Sequence, residues 1–228
     1  MQDDNKVRND KANLGDSINE FIQRNRKTIF IIAGIIVILF LGTLAFITVK
    51  SNIDKKASAA IEELIKKSDE QKPNFNDENF ADDTNALIAE LETFAAKQSG
   101  FSGSKAWSLL AEIYTVKKDW AKAEEAYIKA ARAGKNTYLG PTSLFNAAAA
   151  AEEQGRLDEA INLLNQSVSH KIEFPAAPRA QFAIGRLYEK SENFSGAIEA
   201  YREILVKWPE ITEWQNLARN RIIAIEIK

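Results

Sequence analysis

The side chains that carry most enzyme chemistry are scarce in this chain. It has a single histidine, His170, and no cysteine. Cys–His nucleophile pairs, thiolate zinc sites, disulfides and a lipid-bearing cysteine are therefore excluded. His170 falls near the end of an amphipathic segment, where it reads as a helix-terminal or loop residue rather than a general base. The acidic pairs Glu62/Glu63, Glu124/Glu125 and Glu152/Glu153 are adjacent on predicted helices. Adjacent helical side chains point about 100° apart, so neither member of a pair joins the other at one substrate, and these pairs read as solvated faces. Residues 100–105, Gly-Phe-Ser-Gly-Ser-Lys, superficially resemble a phosphate-binding loop. Their lysine spacing is wrong and no strand pattern precedes them, which leaves an inter-helix linker. Carboxylates alone would hold a metal only as a convergent cluster, and the pattern offers none. No catalytic, cofactor-binding or metal-ligating residue is assigned, no cofactor is expected, and the chain is not expected to be an enzyme.

Composition narrows the remaining classes. A length of 228 residues accommodates one membrane segment and one ordinary domain. The net charge of −2 lacks the basic excess that displaces counterions from nucleic acid, so no nucleic-acid partner is expected. Helix formers abound while Gly and Pro number only 10 and 5, and the fold is predicted to be all-α.

The element that must place the domain is residues 29–49, an uncharged, mostly apolar run bounded by Lys27 and Lys50. As a helix rising about 1.5 Å per residue it matches the roughly 30 Å hydrocarbon layer. A cleaved signal peptide would have a shorter apolar stretch, about 7–15 residues, and a small-x-small cleavage site; the residues after Val49 offer none. The run is read as an uncleaved transmembrane signal-anchor. Arg24, Arg26 and Lys27 precede it and Lys50, Lys55 and Lys56 follow it. The tighter cluster lies on the N-terminal side, which orients residues 1–28 to the cytoplasm and the remainder to the outer side of the membrane. Within that segment Ser17 and Glu20 fit a capping box, and Leu14, Ile18, Phe21 and Ile22 recur at helical spacing. They predict a short juxtamembrane helix, with a plain extension of the transmembrane helix as the competing form.

The rest of the chain is periodic. Ala123, Ala160 and Ala197 lie 37 residues apart, as do Tyr114, Ala151 and Tyr188. Around them Trp107, Leu110, Ala111, Tyr127 and Ala130 match Leu144, Ala147, Ala148, Leu164 and Ser167, then Gln181, Ile184, Gly185, Tyr201 and Ile204. Polar breaks at Lys118-Asp119, Gly155-Arg156 and Glu192-Asn193 each precede a large apolar residue that opens a second helix. These segments resemble tetratricopeptide repeats, whose signature runs Trp-x2-Leu-Gly-x2-Tyr, Ala-x3-Phe, Pro. The period of 37 exceeds the usual 34 and implies longer inter-repeat loops, while Ala151 replaces the usual Tyr. Repeats are assigned to residues 104–137, 141–174 and 178–211, after a degenerate repeat at 57–99. That repeat carries Leu87, Leu91 and Phe94 and an unusually polar stretch at residues 72–78. A capping helix at 212–226 with Trp214, Leu217, Ile222 and Ile225 closes a domain spanning 54–228.

The resemblance implies helical hairpins stacked in a right-handed superhelix with a concave face formed by the first helix of each repeat. Its lining positions here are Lys105, Ser108 and Glu112; Thr142, Phe145, Asn146 and Ala149; and Arg179, Phe182, Arg186 and Glu189. Phe145 and Phe182 are candidate anchors for a bound segment, with packing on the final helix as their structural alternative. Asn146 and Arg179 match positions of the carboxylate clamp found in some members, whereas Ser108 and Glu112 do not, and Glu112 would repel a carboxylate. The whole arrangement resembles the ancillary SecYEG translocon subunit family of bacterial inner membranes, related to cell-division coordinator proteins. That likeness implies a scaffold that binds other proteins, with the translocon and periplasmic chaperones as partners. Outer-membrane assembly or cell-division scaffolds, an organellar import receptor, and a tether that only homo-oligomerises are the alternatives; the last would need a self-complementary surface.

Overall fold

The structure, a computed structural model, describes the backbone of residues 2–227 and the side chains of residues 19–227. It is all-helical among these residues. The nine α-helices described are α1 (Gln2–Gln71), α2 (Ala81–Lys97), α3 (Gly100–Val116), α4 (Trp120–Ala133), α5 (Leu139–Glu153), α6 (Leu157–Val168), α7 (Ala177–Lys190), α8 (Phe194–Lys207) and α9 (Thr212–Glu226). The chain divides into two compact units, Met1–Lys56 and Ala57–Lys228.

The first unit is helical throughout its described backbone. No proline precedes Pro73, so no residue in this unit lacks the amide that an α-helix requires. A separate juxtamembrane helix beginning near Ser17 is not present, because the backbone passes through that position as unbroken α1. The side chains of Leu14, Ser17 and Ile18, on which that reading rested, lie outside the described residues. The apolar run reaches a mean hydropathy of 3.0 and none of it is buried against the chain. Its hydroxyls are satisfied locally: Thr43 donates to the Phe40 carbonyl at 2.7 Å and Thr48 to the Leu44 carbonyl at 2.9 Å. By length and composition this helix is a candidate membrane span, a test that a signal sequence also passes.

The second unit is an α-solenoid of helical hairpins. Its first layer brings Ile61 and Leu64 of α1 against Leu87 and Leu91 of α2 and Leu109 and Ile113 of α3. The polar residues 72–78 form a docked corner with two 3-10 turns, Lys72–Asn74 and Glu78–Phe80. Phe75 is buried there, and Asn76 donates to the Val116 carbonyl at 3.0 Å. The middle core joins Leu110 and Ala111 of α3, Tyr127 of α4, Ala147 and Ala151 of α5, Leu164 of α6 and Ile184 of α7. A third core places Ala197, Tyr201 and Ile204 of α8 against Ala218, Ile222 and Ile225 of α9.

Three hairpin turns repeat one backbone geometry at intervals of 37 residues. Lys118, Gly155 and Glu192 have φ of 56°, 73° and 60°, the left-handed conformation that ends a helix. The amide one residue later then reaches back to the preceding helix. Asp119 donates to Tyr114, Arg156 to Ala151 and Asn193 to Tyr188, at 2.9, 3.0 and 2.8 Å. Next, the amides of Ala123, Ala160 and Ala197 bond the carbonyls of Asp119, Arg156 and Asn193. All three alanines are completely buried, because a larger side chain would hold the two helices of the hairpin apart. The third hairpin uses a further small residue: a Cβ on Gly185 would lie 2.4 Å from the Tyr201 ring.

Residues 100–105 are the opening turns of α3 and not a linker. Ser104 is fully buried and donates to the Ala130 carbonyl at 2.8 Å, and a Cβ on Gly103 would meet the Gln98 carbonyl oxygen at 2.4 Å. Small residues occur here because α3 enters at close range. One repeat later the same pair of positions is bridged in the opposite sense, with Ser167 donating to the Pro141 carbonyl at 2.8 Å.

The acidic pairs are only partly solvated. Glu124 is 5% exposed and accepts hydrogen bonds from Gln154, at 2.7 Å, and from Arg156. Glu152 is half-buried between Arg186 and Lys190. Both carboxylates link one repeat to the next, while Glu62, Glu63, Glu125 and Glu153 face solvent.

Candidate binding groove

Helices α5, α7 and α9 frame a cavity of about 420 Å³, with Leu164 of α6 at its base. Phe145 and Ala149 line it from α5, Phe182 and Ala183 from α7, and Trp214 and Leu217 from α9. Each aromatic ring is held by neighbours. Phe145 lies 6.0 Å from the Phe174 ring, and Phe182 lies 5.0 Å from Tyr201 and 5.6 Å from Trp214, all tilted. Phe182 therefore packs on the final helix and also forms the cavity wall.

The polar residues of the groove differ in how they are engaged. Arg186 makes two hydrogen bonds to the Glu152 carboxylate, one at 2.7 Å from Nη1, and Lys190 adds a third at 3.2 Å. The Arg186 hydrogen bonds hold the Glu152 carboxyl below its ordinary pKa, against the opposing effect of burial, and the same bonds raise Arg186. Glu189 accepts from the Tyr201 hydroxyl at 2.6 Å and from Arg221 Nε at 2.9 Å, which ties α7 to α8 and α9. Burial, then the Glu189 hydrogen bond, raises the Tyr201 pKa, and Glu189 likewise raises that of Arg221. Arg179 is exposed, with its guanidinium 5.3 Å above the Phe145 ring, and has no carboxylate partner among the described residues.

The lining positions read from the sequence thus separate. Phe145, Arg179, Phe182 and Arg186 meet around the cavity. Ser108 is buried, with its Oγ 3.5 Å from Ser143 Oγ, so it fastens α3 to α5. Glu112 and Asn146 are half-buried and do not line the cavity. Glu189 is absorbed in its bonds to Tyr201 and Arg221. Trp214 and Leu217 were legible as residues of a capping helix but not as groove residues; Trp214 stands in the first turn of α9, where it meets Phe182. Outside the groove, His170 lies beyond the end of α6 and its Nδ1 accepts from the Ile172 amide at 3.1 Å. Among the described residues no cluster of three or more acidic or histidine side chains is arranged to hold a metal.

Comparisons with known proteins agree with this architecture. A TPR repeat-containing protein of Treponema pallidum (strain Nichols) is 35% identical over 144 residues, covering 62% of this chain and 59% of the relative's length. The nearly identical TPR-like repeats of Podosopora anserina, known from a crystal structure, superpose with a TM-score of 0.53 over 72% of this chain and 85% of theirs. At 14% identity that likeness concerns the fold alone. The family model described as tetratricopeptide repeat-like domain matches residues 19–226, and the chain belongs to that family.

Proposed function

We infer that this protein is a membrane-anchored scaffold whose groove between α5, α7 and α9 captures segments of other proteins. The observation that carries the reading is the apolar cavity walled by Phe145, Phe182 and Trp214, which the hairpins do not fill. Tetratricopeptide folds bind proteins, and an aromatic-lined cavity between three helices suits an inserted side chain. The uninterrupted apolar run at residues 29–49 serves as the anchor, with residues 1–28 in the cytoplasm and the repeats in the periplasm. On the resemblance to the ancillary translocon subunits, the SecYEG translocon and periplasmic chaperones are the partners. No step of catalysis is assigned.

A photo-crosslinking side chain at Ala149, inside the groove, tests this in native membranes against a control at Glu125 on the outer side of α4. Adducts with translocon or chaperone subunits formed only from Ala149 are the expected result. Equal adducts from both positions, or release of the protein from membranes by carbonate, would overturn it.

A further inference from the structure

The charge around the groove differs in sign from that of the chain. The protein as a whole carries −2. Among the residues lining the cavity, however, the bases Arg179 and Arg186 outnumber the one carboxylate, that of Glu152, which Arg186 shares with Lys190 just outside the lining, and Arg179 stands on the rim with no carboxylate partner among the described residues. The excess is positive and it is concentrated beside an apolar recess. The engaged bases are fixed in place by their hydrogen bonds to Glu152, while Arg179 is exposed and lies over the Phe145 ring. A guanidinium in this setting gains most from a carboxylate that arrives with the ligand, since a planar pair of N–H donors matches a planar carboxylate.

Resting on the groove reading above, we propose that the occupant is an extended segment of a partner protein in which a bulky apolar residue is followed closely by an Asp or Glu side chain. The apolar residue fills the recess between Phe145, Phe182 and Trp214, and the acidic side chain pairs with Arg179. A chain-terminal carboxylate is not the occupant. A terminal clamp needs further donors along the face, yet Ser108 is turned into the α3–α5 contact and Glu112 is itself an acid. One unengaged base at the rim suits one side-chain carboxylate.

The test uses the full-length chain in lipid nanodiscs and short end-blocked Gly/Ser peptides carrying a neutral dye and a central Leu-Glu, Leu-Lys or Ser-Glu pair. Binding is read by fluorescence anisotropy. Leu-Glu is expected to bind about 1.5- to fivefold more tightly than Leu-Lys, the range for a partly exposed ion pair, and the difference should shrink at high salt. Arg179→Ala should bring the two peptides together, and Arg179→Lys should restore part of the difference. Ala149→Phe, at an exposed position on the cavity wall, should abolish binding of both without lowering the melting temperature. Equal binding of Leu-Glu and Leu-Lys, still blocked by Ala149→Phe, would overturn the acidic preference and leave the groove standing. Ser-Glu binding as tightly as Leu-Glu would overturn the apolar insertion. Failure of all three peptides to bind would reject both the proposal and the groove on which it rests.

Discussion

Glu124 offers a quantitative check on how the repeats are joined. Its carboxylate, with a side chain 7% exposed, accepts from Gln154 and from Arg156, whose own side chain is 49% exposed. Glu124→Gln keeps the shape but weakens a charge-assisted pair, at a cost of about 1–2 kcal/mol. The released guanidinium can return to water, which keeps the loss below that of a fully buried pair. Arg156→Ala should be worse, about 2–3 kcal/mol, because it strands a buried carboxylate with Gln154 as its remaining donor. The double variant Glu124→Gln/Arg156→Ala removes the stranded charge and should be more stable than Arg156→Ala alone. At about 2–4 °C per kcal/mol for a domain of this size, melts followed by tryptophan fluorescence resolve these differences. Glu125→Gln, at a side chain 67% exposed, should move stability by less than about 0.5 kcal/mol. Additive losses in the double variant, or a Glu124→Gln effect no larger than that of Glu125→Gln, would refute the buried inter-repeat link.

Gly185→Ala should cost about 1–3 kcal/mol by overpacking the Tyr201 ring, and the smaller ring-free Tyr201→Leu background should reduce that increment when melts of the single and double variants are compared. The acid limb of stability should include Glu152. Its folded pKa lies below the ordinary carboxylate value, so its contribution is present above about pH 4.3 and is lost as pH falls through the folded value. Glu152→Gln should therefore flatten the decline in melting temperature below about pH 4 while lowering stability near neutrality.

The repeat frame was readable because its landmarks are set by steric limits. Only small residues fit the helix crossings at Ala123, Ala160 and Ala197, and only a chain reversal follows Lys118, Gly155 and Glu192, so residue type and spacing report the backbone directly. Polar side chains were less legible. Glu124 and Glu125 are adjacent acids in one helix, yet one is buried and the other exposed, a distinction made by Gln154 and Arg156 some thirty residues later. Ser108 has the helical phase of a groove residue, but α5 approaches closely enough for Ser143 to cover it. The groove itself was half visible: Phe145 and Phe182 share a repeat position, while its third wall belongs to α9, which lies outside the 37-residue period and so had no counterpart from which to infer Trp214.

The same period explains why the cavity forms where it does. Glu152 and Glu189 occupy one repeat position, and each reaches an arginine of the next first helix, Arg186 in α7 and Arg221 in α9. The arginines are nearly half exposed, at 49% and 46% of their side chains, so solvent screening keeps the contribution of each pair to stability modest. Their effect is geometric, because a forked pair of N–H···O bonds fixes the spacing of two helices more narrowly than apolar contact does. One repeat earlier the equivalent residue is Thr115, which donates to its own helix at the Ala111 carbonyl, 2.8 Å away. The forked ties thus begin at α5 and run through α7 to α9, the three helices that wall the cavity. Helices fastened at this spacing do not close on the space between Phe145, Phe182 and Trp214, so folding itself builds the recess.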